Sequence, residues 1–308
     1  MNKEKNIKAS QWLGAALLLL TSIIWGLAFV AQSVGMDYVG PFTFNFSRFF
    51  VGAIVLLPFV TFNVAKKKTV RKDNIKITIL GGVGCGIILF AASGLQQLGV
   101  MYTNAVGKAG FITALYIIIV PIIGFFFGKK SKALIWLCVI LATLGLYLIC
   151  VKEEFVFDKA DIILTGCAFV FSLHIIFIDY VSPKTDGVVI SLIQFFVAGV
   201  ISLIVAVFTE RISFANILNA YIPILYAGVM SCGVAYTLQI IGQKYLEPTK
   251  ASLVMCLESV FATLGGFVIL KEHMTVKELI GCGVVFVAII LAQFCEKKTE
   301  DNKETQKG

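Results

Sequence analysis

Charge is scarce in this 308-residue chain: 14% of its residues are Asp, Glu, Lys or Arg, where soluble domains carry about 25%. That is too little polar side chain to coat a water-exposed surface. A soluble protein, a wholly disordered one and a disulfide-built secreted module are not expected on this ground. Histidine is nearly missing, with two residues. The eight cysteines include no C-x-x-C pair, and all sit in or at the edge of apolar stretches. A metal centre and a disulfide framework are therefore not expected, and the cysteines read as small, reduced packing residues. There is no G-K-[ST] loop and no G-x-G-x-x-G turn after a strand pattern, so an ATP-driven pump on this chain and any nucleotide cofactor are not expected either. The net charge of +8 is no sign of a nucleic-acid partner, because the lysines occupy short loops between long apolar runs.

What the chain has in excess is hydrophobicity, at 58% of residues and a mean hydropathy of +0.92. Roughly 20 apolar residues cross a hydrocarbon core of about 30 Å. Ten runs approach that length: Trp12–Gln32, Phe42–Phe62, Ile77–Leu98, Ala105–Phe127, Ala133–Val151, Ile162–Asp179, Val188–Phe208, Pro223–Gln243, Ala251–Leu270 and Leu279–Cys295. Only helices and closed barrels satisfy their backbone in lipid. The alternation of a barrel strand is missing from runs such as Ile117–Phe127. The first run follows Lys3, Lys5 and Lys8 like a secretion signal, but it continues through Trp25 to Ala31 without a small-x-small cleavage site, so a retained helix is expected.

Positive charge orients the chain. With the N-terminus in the cytoplasm, nineteen of the 26 lysines and arginines fall in cytoplasmic segments and five on the other side; Arg48 and Lys108 lie inside spans. Both termini are thus expected in the cytoplasm of a plasma-membrane protein whose surroundings are the lipid bilayer. Shifting the chain by 142 residues lays Lys108-Ala109-Gly110-Phe111 over Lys250-Ala251-Ser252-Leu253, Leu115 over Leu257, Gln97 over Gln239, and Lys129 over Lys271. Each half has five spans, an odd number, so the second half enters the membrane upside down. Inverted repeats mark secondary transporters, with the substrate near the midplane between halves. The expected fold is an all-α integral membrane bundle of ten transmembrane helices in two inverted five-helix repeats. Residues 1–11 form a cytoplasmic start, 12–151 the first repeat, 152–161 an outer linker, 162–295 the second repeat, and 296–308 a polar, disordered tail.

Polar residues inside spans are costly and point to function. Trp25 and Gln32, Gln96 and Gln97, and Tyr236, Gln239 and Gln243 form stripes at helical spacing. They read either as the wall of a wet substrate cavity or as helix–helix glue. Trp25, Tyr116 and Tyr236 are candidate stacking walls. Glu258 has Ala251, Ala262 and Gly265 on its face, and reads either as a proton or cation site or as a structural ion pair with Arg48 or Lys108. Arg48 and Lys108 read as snorkelling or structurally paired cations, with a substrate carboxylate as the other reading of Arg48. His174 is a proton relay or a hydrogen-bonded packing residue. Pro121, inside the fourth span, is a candidate hinge.

Trp25-Gly26, Arg48, Lys108-Ala109-Gly110-Phe111-Ile112 with Pro121, Leu257-Glu258-Ser259-Val260-Phe261-Ala262, and Lys271-Glu272 before Gly281 stand in an order that resembles the EamA branch of the drug/metabolite transporter superfamily. The resemblance covers about residues 12–293. It implies a ten-helix carrier of small metabolites, a permease or exporter, and leaves the substrate open among amino acids, sugars, nucleotide-derived compounds and drugs. A small-molecule substrate and protons as coupling ion are the expected partners, in a monomer or a homodimer. The competing readings are a channel, which lacks a charged ring or filter-like loop here, and an integral-membrane enzyme, which lacks the interfacial His, Asp or Cys cluster such enzymes use.

Overall fold

The structure is a computed structural model that describes residues 2–65, 75–103, 106–128, 132–150, 158–269 and 273–294. The basic segment 66–72, Lys129 and Lys130, linker residues 152–157, the turn at Lys271-Glu272 and the tail 296–308 lie outside the described residues. Those that are described fold into helices and short connections, with no strand among them.

In chain order the helices are α1 (Asn2–Met36), α2 (Pro41–Ala65), α3 (Ile75–Tyr102), α4 (Val106–Ala114), α5 (Tyr116–Phe126), α6 (Ala133–Cys150), α7 (Lys159–Val181), α8 (Gly187–Thr209), α9 (Phe214–Asn219), α10 (Tyr221–Leu225), α11 (Thr237–Gly242), α12 (Pro248–Met255), α13 (Leu257–Ile269) and α14 (Val276–Phe294). A π-helical segment, Tyr226–Tyr236, joins α10 to α11. Among the described residues nine stretches are long and apolar enough to cross a membrane, and a further apolar helix, Ala133–Ile149, is shorter.

Three spans depart from the expected unbroken helices. The fourth is divided at Leu115 and the ninth at Cys256. At both points the ladder tightens: Ile118 N–H donates to Leu115 O at 3.0 Å, and Ser259 N–H donates to Cys256 O at 3.2 Å, each three residues back. The discontinuity thus precedes Pro121 by six positions; Pro121 is buried inside an α5 that runs on past it. The eighth span widens into the π-helical segment, a geometry that tends to mark functional sites.

Each long helix hides one stripe. In α3, Gly81, Cys85, Leu89, Ala92 and Gln96 are buried at helical spacing, while Leu80 is 71% exposed. Phe126 and Phe208 are also bare, at 81% and 83%. A water-soluble surface does not hold so many large apolar side chains; lipid does.

Contacts fix helix directions. Gly52 meets Phe195, and Gly199 meets Phe49 and Phe50; farther out, Glu210 reaches Phe42 and Thr43. Residue numbers rise on α2 as they fall on α8, so the two helices are antiparallel. The pairs Gly81–Val181, Gly84–Phe177 and Gly99–Leu164 make α3 and α7 antiparallel as well. By contrast α1 runs parallel to the ninth span: Ser22 sits 3.0 Å from Val254 O, and Gly26 lies under Glu258, Phe261 and Ala262. A Cβ at position 26 would stand 2.5 Å from Phe261 Cβ and 2.7 Å from Glu258 O. Only glycine lets α1 approach this close.

Candidate functional site

A cavity with about 440 Å³ of atom-free space, partly open, lies where the two halves of the chain meet. Seven lining residues come from before residue 151 and seven from after it. Its wall holds Trp25, Gln32, Arg48, Gln96, Tyr116, Tyr236, Gln239 and Glu258, eight of the residues singled out by sequence. The remainder are placed elsewhere. Gln97 Nε2 donates to Gln32 O at 3.2 Å, and Gln243 Nε2 donates to Ile175 O at 3.1 Å. These two glutamines tie helices together behind the wall. His174 is fully buried, with Nε2 3.2 Å from Gln194 Oε1. Its ring lies edge-on to Tyr236 at 6.3 Å.

Lys108 does not enter the cavity. It binds Asp158 at 3.2 Å and Asp161 at 2.9 Å, joining the start of α4 to the start of α7. Asp158 also caps α7: its side chain accepts from Asp161 N, and Asp161 returns a bond to Asp158 N. The hydrogen bond from Asp161 N, followed by the ammonium of Lys108, holds the Asp158 carboxyl below its ordinary range despite a contrary effect of desolvation.

Glu258 pairs with neither Arg48 nor Lys108. Tyr116 Oη donates to Glu258 Oε1 at 2.9 Å. The two residues stand 142 apart, the offset used to align the halves in sequence, and each lies in the first turn of the helix that follows a break. Thr113 and Met255, also 142 apart, line the same cavity. Ser259 Oγ donates to Gly110 O at 3.0 Å and closes the crossing of the two broken spans.

Arg48 does not snorkel: it is 1% exposed. Its Nε donates to Asn45 Oδ1 at 2.9 Å, and Asn45 Nδ2 donates to Ser93 O at 3.0 Å. The guanidinium carbon stands 5.0 Å from the Phe49 ring and 5.8 Å from that of Phe44. Trp25 and Tyr236 rings meet at 4.7 Å and 60°. Besides the Thr113 hydroxyl, four atoms of cavity residues have no hydrogen-bond partner among the described residues: Trp25 Nε1, Gln32 Oε1, Arg48 Nη2 and Gln239 Oε1. Buried polar atoms are normally paired. Two donors and two acceptors at a partly open cavity can instead serve a polar solute, while the aromatic rings hold its apolar part. No cluster of three or more potential metal ligands occurs among the described residues.

Sequence reading missed Phe29, Thr113, Phe171, Ser231 and Met255, all on the wall. For Met255 and Thr113 the signal was available in the repeat offset, since each is the other's mate. Phe29 and Phe171 carry no mark that separates them from lipid-facing phenylalanines.

Long apolar helices, bare apolar outer faces and a polar interior cavity define a multi-pass helical membrane protein. The model of the EamA-like transporter family matches residues 12–151 and 158–294, and the chain belongs to that family, within the drug/metabolite transporter superfamily. An uncharacterized transporter of Archaeoglobus fulgidus is 30% identical over 89% of this chain and 83% of its own length. An uncharacterized transporter of Clostridium kluyveri is 27% identical over 94% and 96%. The uncharacterized transporter YoaV of Bacillus subtilis is 22% identical over 90% and 95%. A crystal structure of a protein at 15% identity superimposes with a TM-score of 0.72 over 90% of this chain and 96% of that one, a likeness of fold.

Proposed function

We propose that this protein is a secondary-active carrier of small organic solutes, working by alternating access and exporting substrate across the plasma membrane. The observation that carries the reading is the cavity between the halves, walled equally by both and holding unpaired polar atoms, a guanidinium and a carboxyl. Amino acids and related metabolites or drugs suit a wall that combines charged, amide and aromatic groups. The ten-span, inverted-repeat arrangement is part of the proposal. It is supported by the antiparallel course of α2 and α8, the second span of each half, and by the Tyr116–Glu258 bond between repeat mates. The lysine count supports a cytoplasmic position for both termini. Glu258 is the proposed proton site: its partner Tyr116 holds one oxygen, and solute or proton competes for the carboxyl.

Counterflow in proteoliposomes tests this. The expected result is saturable exchange of one class among labelled amino acids, sugars, nucleosides and cationic drugs, accelerated by a pH gradient. Glu258→Gln keeps insertion and exchange but loses the acceleration. Flux that rises linearly with concentration and shows no exchange would make the protein a channel. An unchanged pH response in folded Glu258→Gln protein removes the coupling role.

A further inference from the structure

Arg48 is a buried cation without a counter-ion. No ion pair to it forms among the described residues, and it is 1% exposed. A guanidinium held this way is strongly disfavoured unless charge of opposite sign meets it. The two nearby phenylalanine faces offset part of that penalty, and Asn45 satisfies Nε alone. Nη2 lies in a cavity-lining side chain and has no partner. The anchoring is directional. Ser93 O holds Asn45, Asn45 holds Nε, and the rings of Phe44 and Phe49 flank the guanidinium, which leaves Nη2 as the unpartnered group of a cavity-lining side chain. Glu258, the carboxyl of the same cavity, is committed to Tyr116 and forms no ion pair with Arg48.

We propose that Arg48 receives a carboxylate of the transported solute, so that the substrate class is organic acids and zwitterions bearing a carboxylate, with Asn45 as the positioning residue. This rests on the carrier reading above. A planar guanidinium matches a carboxylate through paired N–H···O bonds. The neighbouring Trp25 and Tyr236 rings accommodate an apolar or aromatic remainder.

The test uses the full-length protein in detergent and in proteoliposomes. Isothermal titration compares phenylacetate with phenylacetamide, and phenylalanine with phenylalaninamide, which differ in charge but hardly in size. In the wild type each carboxylate is expected to bind about tenfold tighter than its amide, a modest figure for a charge-assisted pair. Arg48→Gln abolishes that preference and leaves amide affinity within about twofold. Arg48→Lys keeps part of the preference. Asn45→Ala weakens carboxylate binding about threefold without touching the amides, which a merely structural role would not do. Equal binding of carboxylate and amide by the wild type overturns the proposal, as does absence of binding by either carboxylate. A retained preference in Arg48→Gln protein that is monodisperse and melts near the wild type also overturns it. The carrier reading fails separately: Arg48-dependent carboxylate binding without counterflow of any labelled carboxylate leaves the docking role standing and removes the transport role.

Discussion

Tyr116 in the first half and Glu258 in the second occupy positions 142 apart and touch. One offers a phenol, the other a carboxyl. A second mismatch lies on α2 and α8. The helix α2 starts at Pro41 and α8 at Gly187, 146 apart, and counted from those starts Arg48 corresponds to Gln194. Arg48 lines the cavity; Gln194 turns to His174. The halves therefore share a frame and divide the chemistry, with the cation in one and the carboxyl in the other. A symmetric frame suits two mirror-related open states. Under the proposed function, an asymmetric lining would hold a solute in one orientation and confine a proton to one place.

Exchanging the mates is the largest test of that division. Tyr116→Glu alone sets two carboxyls together, and Glu258→Tyr alone leaves none; each is expected to lower pH-driven flux about a hundredfold, to the level of an uncoupled carrier. The double exchange puts one carboxyl and one phenol back in contact and is expected to recover flux to within about tenfold of the wild type. The titratable groups beside the pair among the described residues are Tyr236, Cys167 and Cys256. They are untouched by the exchange, so a shifted pH profile reports the carboxyl's new position. A folded double variant as inactive as either single one would show that the two positions are not interchangeable.

How far the sequence carries this can be read residue by residue. The apolar runs are legible because lipid demands long uninterrupted helices, and even the 18-residue α6, about 27 Å at 1.5 Å per residue, was recognisable. The breaks at Leu115 and Cys256 were not, since neither residue is a helix breaker, and the proline of the fourth span, Pro121, stands six positions beyond the first of them. Gln96 and Gln97 show the limit of a stripe. Adjacent residues stand about 100° apart around a helix, and sequence cannot say which faces the cavity; Gln96 does and Gln97 does not. Glu258 was legible as an unusual intramembrane carboxyl, read either as a proton or cation site or as an ion pair; its bond in the structure is to Tyr116. A bond to Tyr116 depends on how two broken helices cross, which no local pattern encodes.

The helix caps offer a smaller contrast between halves. Asp186 caps α8 from its own chain end, accepting from Val188 N and Val189 N at 2.8 and 3.2 Å. At the 146 offset α2 has Gly40, and its cap comes from the other half: Glu210 accepts from Phe42 N and Thr43 N, each at 2.8 Å. A Cβ at Gly40 would collide with the Glu210 carboxyl. Glu210→Ala is expected to destabilise the protein by about 1–2 kcal/mol, and Asp186→Ala by about 1 kcal/mol. Gly40→Asp alone destabilises by collision. Gly40→Asp combined with Glu210→Ala regains part of the loss, because a local cap replaces the remote one. Thermal unfolding in detergent measures all four. Equal melting of the combined variant and Glu210→Ala would mean that the tie between α2 and α8, not the cap, is what matters.

The smallest effect separates the two repeat-mate lysines. Lys250 begins α12 at 7% exposure, whereas the side chain of Lys108 is 18% exposed and binds Asp158, itself half exposed. Water screens a pair of this kind and leaves it weak. Its sign is nevertheless fixed. The Asp158 carboxyl is held below its ordinary value in the folded chain, first by Asp161 N and then by Lys108. Stability from such a group is fully present above the unfolded value of about 3.9 and is lost as pH falls through the lower folded value. Asp158→Asn should therefore lower the melting temperature by a degree or so at neutral pH, where the carboxylate's stabilisation is present, and converge with the wild type as pH falls to about 3. A variant that melts in parallel with the wild type across that range would assign the acid response to other carboxylates and reduce the Lys108 contact to geometry without energetic weight.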